Sequence, residues 1–473
     1  MARAALSGLL VGLSVRGWLP GLVTCFALIP LLIALHGEQR PFRAGVLTLI
    51  ASLGLLMAAF EGAIPALPWT FPLVLLLAAP GTMFPGAVTA VLAKQDRVPF
   101  ALWTLPVSWT AAEFLAGRRW LWGSFASPVA LGYTQIDSPL LHLAAIFGVS
   151  GVTFVVLGVN VALTKVILTR SAWPLAVPLA VLLLAMSPLA RPNEVDEPQQ
   201  SLPSRPTVAL VQPALAGDWY DVSALVPEAY TVIIDRLVEL TIPVAMADLI
   251  IWPEGALPRG LGLESVPNAL SQLPFDSGDL LAGAVTVREG ERFNSAVLVE
   301  AGVAEVVFDK LAPVPLGEAG ITAGEWLVVG RWAGLWVAPV ICLDSLYPAF
   351  TSRLARLGAD LLVVMSDDSF AGRMVTPWLH LRASIFRAVE TGVPLVFASA
   401  AGPGAIVAPD GRLLGITPFG EPASLMASIP PRRAPTLYLR LGEVVGTASV
   451  GLTVLILSWL LRVKAASGSR ESQ

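Results

Sequence analysis

Charged side chains are scarce in this sequence. Asp, Glu, Lys and Arg make up 14% of the 473 residues, whereas apolar residues make up 55%. Typical soluble domains carry about a quarter charged residues, so the composition excludes an ordinary soluble protein. Because so much apolar surface needs a partner other than water, the balance indicates a membrane protein.

Cysteine and histidine are almost absent, with two and three residues respectively. Cys25 lies in an apolar run, where a thiol usually packs as a small hydrophobe. Cys342 is the single thiol of the globular part, which excludes an internal disulfide or a cysteine-rich metal site there. His380 is the sole histidine of that part, and a lone helical histidine is more often structural. The acidic pair Asp367 and Asp368 reads as a polar loop end, so we predict no metal site.

Basic stripes and glycine-rich phosphate loops are missing as well. The net charge is −4, and Lys and Arg occur in short loops. A nucleic-acid-binding domain would carry a basic patch or stripe, and a dinucleotide or nucleotide site would carry a glycine-rich turn. We therefore expect no cofactor and no nucleic-acid partner.

The sequence does contain eight apolar stretches near the length that crosses a bilayer, about 20 residues. They lie near 4–18, 20–36, 43–63, 70–93, 98–116, 139–168, 172–190 and 444–462. Residues 1–190 are therefore predicted to form a membrane domain of about seven transmembrane helices, with one more at 444–462. The polar, proline-rich segment 191–205 reads as a linker, and 206–436 has globular composition.

Basic residues are distributed unevenly between the loops that join these stretches. If the N-terminus is cytoplasmic, the cytoplasmic loops contain Arg40, Arg43, Lys94, Arg97, Lys165 and Arg170. Cytoplasmic loops are enriched in Lys and Arg, so this pattern predicts that the globular domain lies outside the cytoplasm. The outer loop with Arg118 and Arg119 is an exception, and one re-entrant stretch would reverse the assignment.

Short runs rich in Val, Ile and Leu alternate with helix-like segments between residues 206 and 436. The predicted strands are 207–211, 249–252, 280–287, 295–300, 304–308, 335–342, 361–365, 395–399 and 404–408. Residues 222–247 and 377–390 are predicted helices. Many strands with few helices favour a layered α/β domain in which helices cover two sheets.

Three reactive side chains, Glu254, Lys310 and Cys342, come at the ends of predicted strands. Side chains at strand ends are held by a rigid scaffold and face a crevice. A free thiol has a pKa of about 8.5 and needs activation, which a carboxylate base can supply. An ammonium group and the backbone N–H after the cysteine can stabilise an oxyanion. Together these groups suffice for acyl transfer without histidine.

The segments around these residues resemble the nitrilase superfamily of carbon–nitrogen hydrolases. The blocks are IIWPEGALP around Glu254, VFDKLAPVPLGE around Lys310 and VICLDSLYP around Cys342, in the superfamily's order. VALVQP, FNSAV at Asn294 and FRAVETGVPLV match as well. The resemblance implies an αββα sandwich in which Cys342 is the nucleophile, Glu254 the general base and Lys310 the oxyanion-binding group. It also implies that Glu318 is a second carboxylate near the site.

The layout of seven predicted spans, a nitrilase-like domain and one further span is similar to the bacterial apolipoprotein N-acyltransferases. The resemblance implies a multi-pass protein of the bacterial inner membrane whose catalytic domain faces the periplasm. It also implies that an acyl chain leaves a phospholipid, phosphatidylethanolamine, and forms a thioester on Cys342. The acceptor would be the N-terminal amine of a diacylglyceryl-cysteine apolipoprotein.

Three further positions are of interest in this resemblance. Trp219 lies roughly where the family has a tryptophan after its first strand. After the cysteine the family usually has Tyr then Glu, whereas this chain has Leu343 then Asp344. Leu343 lacks a phenol, and Asp344 keeps the charge with a shorter reach. These changes concern acceptor specificity and rate rather than the thioester-forming groups.

Two alternatives to acyl transfer remain at this point. One is a membrane-tethered, nitrilase-type amidase that uses the same three residues and passes the acyl group to water. The other is a non-catalytic scaffold that has kept the fold.

Overall fold

The computed structural model describes residues 1–60, 70–95, 98–118, 130–190, 205–215, 227–257, 278–314, 317–369 and 375–471. The chain divides into two compact units. The first comprises Met1–Trp122, Ser127–Arg191 and Arg440–Gln473, and the second comprises Gly123–Ala126 and Pro192–Leu439. Residues 191–204 of the predicted linker lie outside the described residues.

Helices form the first unit and also cover the sheets of the second. The α-helices of the described residues are α1 (Ala2–Val15), α2 (Thr24–Ala27), α3 (Ile29–Leu35), α4 (Pro41–Phe60), α5 (Thr70–Ala93), α6 (Val98–Ala101), α7 (Thr104–Ala116), α8 (Ala144–Thr169), α9 (Ala176–Met186), α10 (Pro227–Thr241), α11 (Pro348–Arg356), α12 (Val375–Thr391), α13 (Leu437–Leu441) and α14 (Val444–Glu471). Helices suit the apolar first unit because a helix satisfies its backbone polar groups internally, as a lipid environment requires.

Four segments of the described residues are helical, long enough and apolar enough to cross a membrane. They are Pro41–Ala59, Leu75–Ala93, Pro139–Thr169 and Val444–Val463. Three more of the predicted stretches form shorter apolar helices, namely Ala2–Val15, Gly21–Leu35 and Trp173–Met186. The stretch predicted at 98–116 forms α6 and α7. The helical character of the membrane domain is thus confirmed, while the number of eight spans stays a prediction.

Glycines let α1 and α4 approach closely within the first unit. A Cβ atom on Gly54 would lie 1.7 Å from the carbonyl oxygen of Gly8, and one on Gly12 would lie 2.8 Å from that of Gly54. Small residues at such contacts allow two backbones to pack against each other in an apolar environment, where the hydrophobic effect does not drive association. These glycines therefore serve helix packing.

Two six-stranded sheets form the second unit. The strands are β1 (Thr207–Gln212), β2 (Leu249–Ile251), β3 (Asp279–Arg288), β4 (Glu291–Glu300), β5 (Val303–Asp309), β6 (Gly330–Trp332), β7 (Leu335–Ile341), β8 (Leu361–Ser366), β9 (Leu395–Ser399), β10 (Ala405–Val407), β11 (Leu413–Ile416) and β12 (Ala423–Ser428). The first sheet has the order β12-β1-β2-β3-β4-β5 and the second β11-β10-β9-β8-β7-β6. Parallel pairing joins β1 to β2 to β3, and β7 to β8 to β9, while the flanking pairs are antiparallel.

Alternating side chains assign the two faces of each sheet. In β1, Val208 and Leu210 belong to the core between the two sheets, whereas Ala209 and Val211 pack with Leu237 of α10. The same period of two, expected for a strand, occurs in β9, where Phe397 contacts a side chain of α12 rather than the inter-sheet core. Helices therefore cover both outer faces, and the predicted αββα sandwich is confirmed.

The structure differs from the sequence prediction at the end of one central strand. The predicted strand 335–342 ends at Ile341, and Cys342 is instead the first residue of a 3₁₀ helix, Cys342–Leu346. Its φ of 47° is incompatible with an extended strand. The edge strands β6, β11 and β12 are not among the predicted ranges. β6 has only three residues, and β11 and β12 are only partly buried.

Gly283 of β3 offers a test of how tightly the segment after β2 is packed. A Cβ atom at this position would lie 2.4 Å from the carbonyl oxygen of Pro253 and 2.6 Å from the Cα of Glu254. We expect Gly283→Ala to lower stability by about 1–3 kcal/mol through overpacking, measured as a lower melting temperature. Gly158→Ala is the control, because nothing lies within 4 Å of the added carbon. Equal melting temperatures for both variants would contradict this packing.

Candidate active site

The segments that follow three strands carry the predicted reactive residues. Glu254 follows β2 and Lys310 follows β5 in the first sheet, while Cys342 follows β7 in the second. Glu318 lies in the segment after Lys310. All four side chains are brought into one electrostatic cluster, since each carboxylate and the ammonium group act on the pKa of the thiol.

Lys310 lies at the centre of this cluster. Its Nζ atom is 2.8 Å from Oε1 of Glu254 and 2.8 Å from Oε2 of Glu318, and its side chain is 1% exposed. Burial favours the neutral amine, but negative charge on Cys342 when its thiol is ionised, and the standing charges of Glu254 and Glu318, outweigh it and hold the pKa of Lys310 well above its ordinary value. The residue is therefore a permanent cation bound between two carboxylates.

Asn294 of β4 joins the two carboxylates. Its Nδ2 donates to Oε1 of Glu254 at 2.6 Å and to Oε1 of Glu318 at 2.7 Å. Asn294 lies in the FNSAV block that resembles the superfamily, but the sequence alone predicts no role for it. The available signal was a buried polar residue in an apolar strand, since such a residue needs hydrogen-bond partners.

Backbone N–H groups complete the coordination of the carboxylates. The N–H of Asp367, just after β8, donates to Oε2 of Glu254 at 2.8 Å, and that of Val314 donates to Oε2 of Glu318 at 2.5 Å. Charge-assisted hydrogen bonds of this kind fix the orientation of a carboxylate. Asp367 thus acts here through its backbone, and burial raises the pKa of its own side chain to about 6.

The backbone of Cys342 adopts a left-handed conformation, with φ of 47°. Such a conformation is uncommon for residues other than glycine and often marks a functional site. Burial raises the pKa of the thiol well above its ordinary value, and the charge of Glu254 raises it further, while Lys310 lowers it. The resting thiol is therefore protonated, so its attack on a substrate requires a base.

The two residues after the cysteine have structural contacts. Asp344 is fully buried, and its carboxylate accepts the N–H of Ala312 at 2.8 Å and that of Leu311 at 3.1 Å. It therefore links the segment after Lys310 to the 3₁₀ helix that Cys342 begins. Burial raises the pKa of Asp344 to about 7. Leu343 belongs to a small apolar cluster with Ala312 and Tyr347.

His380 contacts the backbone of Cys342. Its Nε2 lies 3.1 Å from the carbonyl oxygen of Cys342 and 2.8 Å from Oγ of Ser345, and its Nδ1 lies 3.5 Å from Oδ1 of Asp368. Within the part of the chain that the structure describes, no group of three or more His, Cys, Asp or Glu side chains is arranged to hold a metal ion. Trp219 lies outside the described residues, and its place beside the site stays a prediction.

Family models match both units of the chain. A model described as the apolipoprotein N-acyltransferase N-terminal domain matches residues 7–162, and one described as carbon–nitrogen hydrolase matches residues 207–436. The second match contains Glu254, Lys310, Glu318 and Cys342.

Curated relatives match nearly the full length. The chain is 29% identical to the apolipoprotein N-acyltransferase of Geobacter metallireducens, over 98% of this chain and 95% of that protein. It is 27% identical to the one of Photobacterium profundum, over 88% of this chain and 86% of that protein. Among solved structures, an alanine mutant of the Nesterenkonia AN1 amidase from the nitrilase superfamily is 22% identical and covers 49% of this chain and 92% of its own, with a TM-score of 0.39.

The charges around Cys342 predict opposite changes in its pKa for two variants. In Glu254→Gln a negative neighbour is lost, so the pKa of the thiol should fall; in Lys310→Met a positive neighbour is lost, so it should rise. The measurement is the rate of iodoacetamide alkylation of Cys342 against pH, read from the peptide mass. Glu291→Gln, on an exposed residue, should leave the profile unchanged. Shifts in the reverse directions would contradict the described electrostatics.

Asp344→Ala should destabilise the protein. The variant leaves the N–H groups of Leu311 and Ala312 buried without their acceptor, at a cost of about 1–3 kcal/mol each. The control is Asp410→Ala, which removes the acceptor of the exposed N–H of Arg412 and a partly exposed ion pair with Arg433, but leaves no buried backbone N–H without its acceptor. Melting temperatures of the two purified variants check the prediction, and a larger loss for Asp410→Ala would refute it.

Proposed function

We infer the reaction from one premise: the chain belongs to the family of apolipoprotein N-acyltransferases, whose second domain is a carbon–nitrogen hydrolase domain. It is therefore an N-acyltransferase of the nitrilase superfamily. We propose that it transfers an acyl chain from a phospholipid, through a thioester on Cys342, to the N-terminal amine of a diacylglyceryl-cysteine apolipoprotein. Phosphatidylethanolamine is the proposed donor.

In the first half-reaction, Sγ of Cys342 attacks the carbonyl carbon of the phospholipid ester. Glu254 accepts the thiol proton, and the carbonyl oxygen becomes an oxyanion. The ammonium group of Lys310 and the backbone N–H of Leu343 stabilise that charge. The carbon–oxygen bond of the ester then breaks, the leaving alkoxide takes the proton from Glu254, and a lysophospholipid departs.

In the second half-reaction, the α-amine of the apolipoprotein attacks the thioester carbonyl. Glu254 accepts a proton from the attacking nitrogen, and the same donors stabilise the second oxyanion. The carbon–sulfur bond breaks, the thiol recovers its proton, and an amide is formed. Because the amide is more stable than the ester or the thioester, the sequence of two transfers runs toward the acylated lipoprotein.

The observation that carries this proposal is the placement of Lys310 between Glu254 and Glu318, both at 2.8 Å. Asn294 donates a hydrogen bond to each of these carboxylates. A protonated thiol beside this cluster suits a nucleophile that loses its proton only during attack. The proposed role of Glu318 is to hold Lys310. In Glu254, Oε1 pairs with Lys310, whereas Oε2 accepts the N–H of Asp367 and is not paired with Lys310.

We also propose the bacterial inner membrane as the location, with the catalytic domain on the periplasmic side. The four span-length apolar helices support a membrane location. The excess of Lys and Arg in the loops assigned to the cytoplasm supports the orientation. A lipid donor makes such a location necessary, since its acyl ester lies within the bilayer.

Incubation of the purified protein with phosphatidylethanolamine should add one acyl chain to its intact mass. The adduct should be absent from Cys342→Ala and present in Cys25→Ala, since Cys25 is buried in the membrane unit. Hydroxylamine, which cleaves thioesters, should remove the adduct. An adduct on Cys342→Ala, or ammonia release from small amides without any adduct from phospholipid, would overturn the proposal in favour of another nucleophile or an amidase.

A further inference from the structure

Two donors fix the carbonyl group of Cys342 in place. Nε2 of His380 lies 3.1 Å from this oxygen, and Oγ of Ser345 donates to it at 2.9 Å. The two donors also contact each other at 2.8 Å. His380 and Ser345 are both buried, so water does not compete for the carbonyl oxygen.

Donation to the carbonyl oxygen of Cys342 requires the tautomer of His380 that carries its proton on Nε2. A carbonyl oxygen only accepts, so the ring nitrogen beside it must donate. On the opposite side of the ring, Nδ1 lies 3.2 Å from Oγ of Ser366 and 3.5 Å from Oδ1 of Asp368. In the neutral tautomer that donates from Nε2, Nδ1 accepts the hydroxyl proton of Ser366.

The imidazole ring is held in this orientation by its surroundings. Phe397 of β9 packs edge-on against it, with ring centroids 4.9 Å apart and an interplanar angle of 81°. Asp368 is itself fixed, because its Oδ2 accepts the hydroxyl of Ser399 at 2.8 Å. A locked ring with a fixed tautomer can hold a backbone carbonyl at a defined angle.

Fixing this carbonyl also fixes the next N–H group. The peptide unit is planar, and in its trans form the C=O and the following N–H point in opposite directions. The carbonyl of Cys342 points toward His380, so the N–H of Leu343 points away from His380. Leu343 is the second residue of its 3₁₀ helix, and the first N–H groups of a helix have no acceptor within it.

We propose that His380, supported by Ser366 and Asp368, is a positioning residue that aims the N–H of Leu343 at the oxyanion formed on the acyl carbonyl. This inference rests on the proposed thioester chemistry of Cys342. The contacts of His380 and Ser345 also account for the left-handed φ of Cys342, because they hold the peptide unit after that residue in place.

The test separates oxyanion stabilisation from mere integrity of the site. Acylation by p-nitrophenyl acetate passes through an oxyanion that an N–H group can stabilise, whereas alkylation by iodoacetamide needs the thiolate but forms no oxyanion. His380→Leu has a similar volume but no donor, so acylation of the full-length protein should slow by roughly 10–100-fold. Its alkylation rate should remain close to that of the wild type.

His380→Gln is the matched variant, because its amide nitrogen can donate from nearly the position of Nε2. We expect it to restore most of the acylation rate that His380→Leu loses. Equal acylation rates in the wild type and His380→Leu, a parallel loss of acylation and alkylation, or no recovery in His380→Gln would each overturn the positioning role.

The choice of ester separates this inference from the proposed function. If the wild-type protein is acylated by p-nitrophenyl acetate but not by phospholipid, the proposed donor is wrong. The comparison of the His380 variants then still decides the positioning role. If the wild-type protein is acylated by neither ester, both proposals are overturned.

Discussion

The ion pair network around Lys310 is the interaction on which the rest of the catalytic domain depends. Removing three charges from water costs several kcal/mol per ion unless each is paired and hydrogen-bonded. Here the ammonium group contacts Glu254 and Glu318, and Asn294 donates to both. Because these side chains come from separate segments, the network forms only when β2, β4 and the segments after β5 have their native register.

The second sheet supplies Cys342, the proposed nucleophile, and ties it to this network. The backbone after β8 donates to Glu254, and Asp344 accepts N–H groups from the segment that follows Lys310. The side chain that replaces the family's usual Glu is therefore part of the connection between the two sheets. Leu343 packs in an apolar cluster beside it, so its side chain serves packing.

Much of the site could be predicted because Glu254 and Lys310 follow apolar runs whose ends are marked by Pro or by a change to polar residues. The bounds of β1 to β5 and of β7 to β10 could be predicted from such runs, whereas β11 and β12 are only partly buried and have no predicted bounds. The left-handed φ of Cys342 could not be predicted, since it depends on tertiary contacts. The contacts of His380 were hidden for the same reason, because its partners Ser345 and Asp368 come from other elements.

The proposed reaction requires that Cys342 forms a thioester and that its acyl group passes to an amine rather than to water. The most direct measurement begins with the isolated acyl-enzyme, made with an isotopically labelled acyl chain and freed of donor. A synthetic diacylglyceryl-cysteinyl peptide is then added, and the masses of protein and peptide are followed with time. We expect the protein to lose one labelled acyl chain and the peptide to gain it at its N-terminal amine. Release of the label as free fatty acid, with an unchanged peptide, would contradict it.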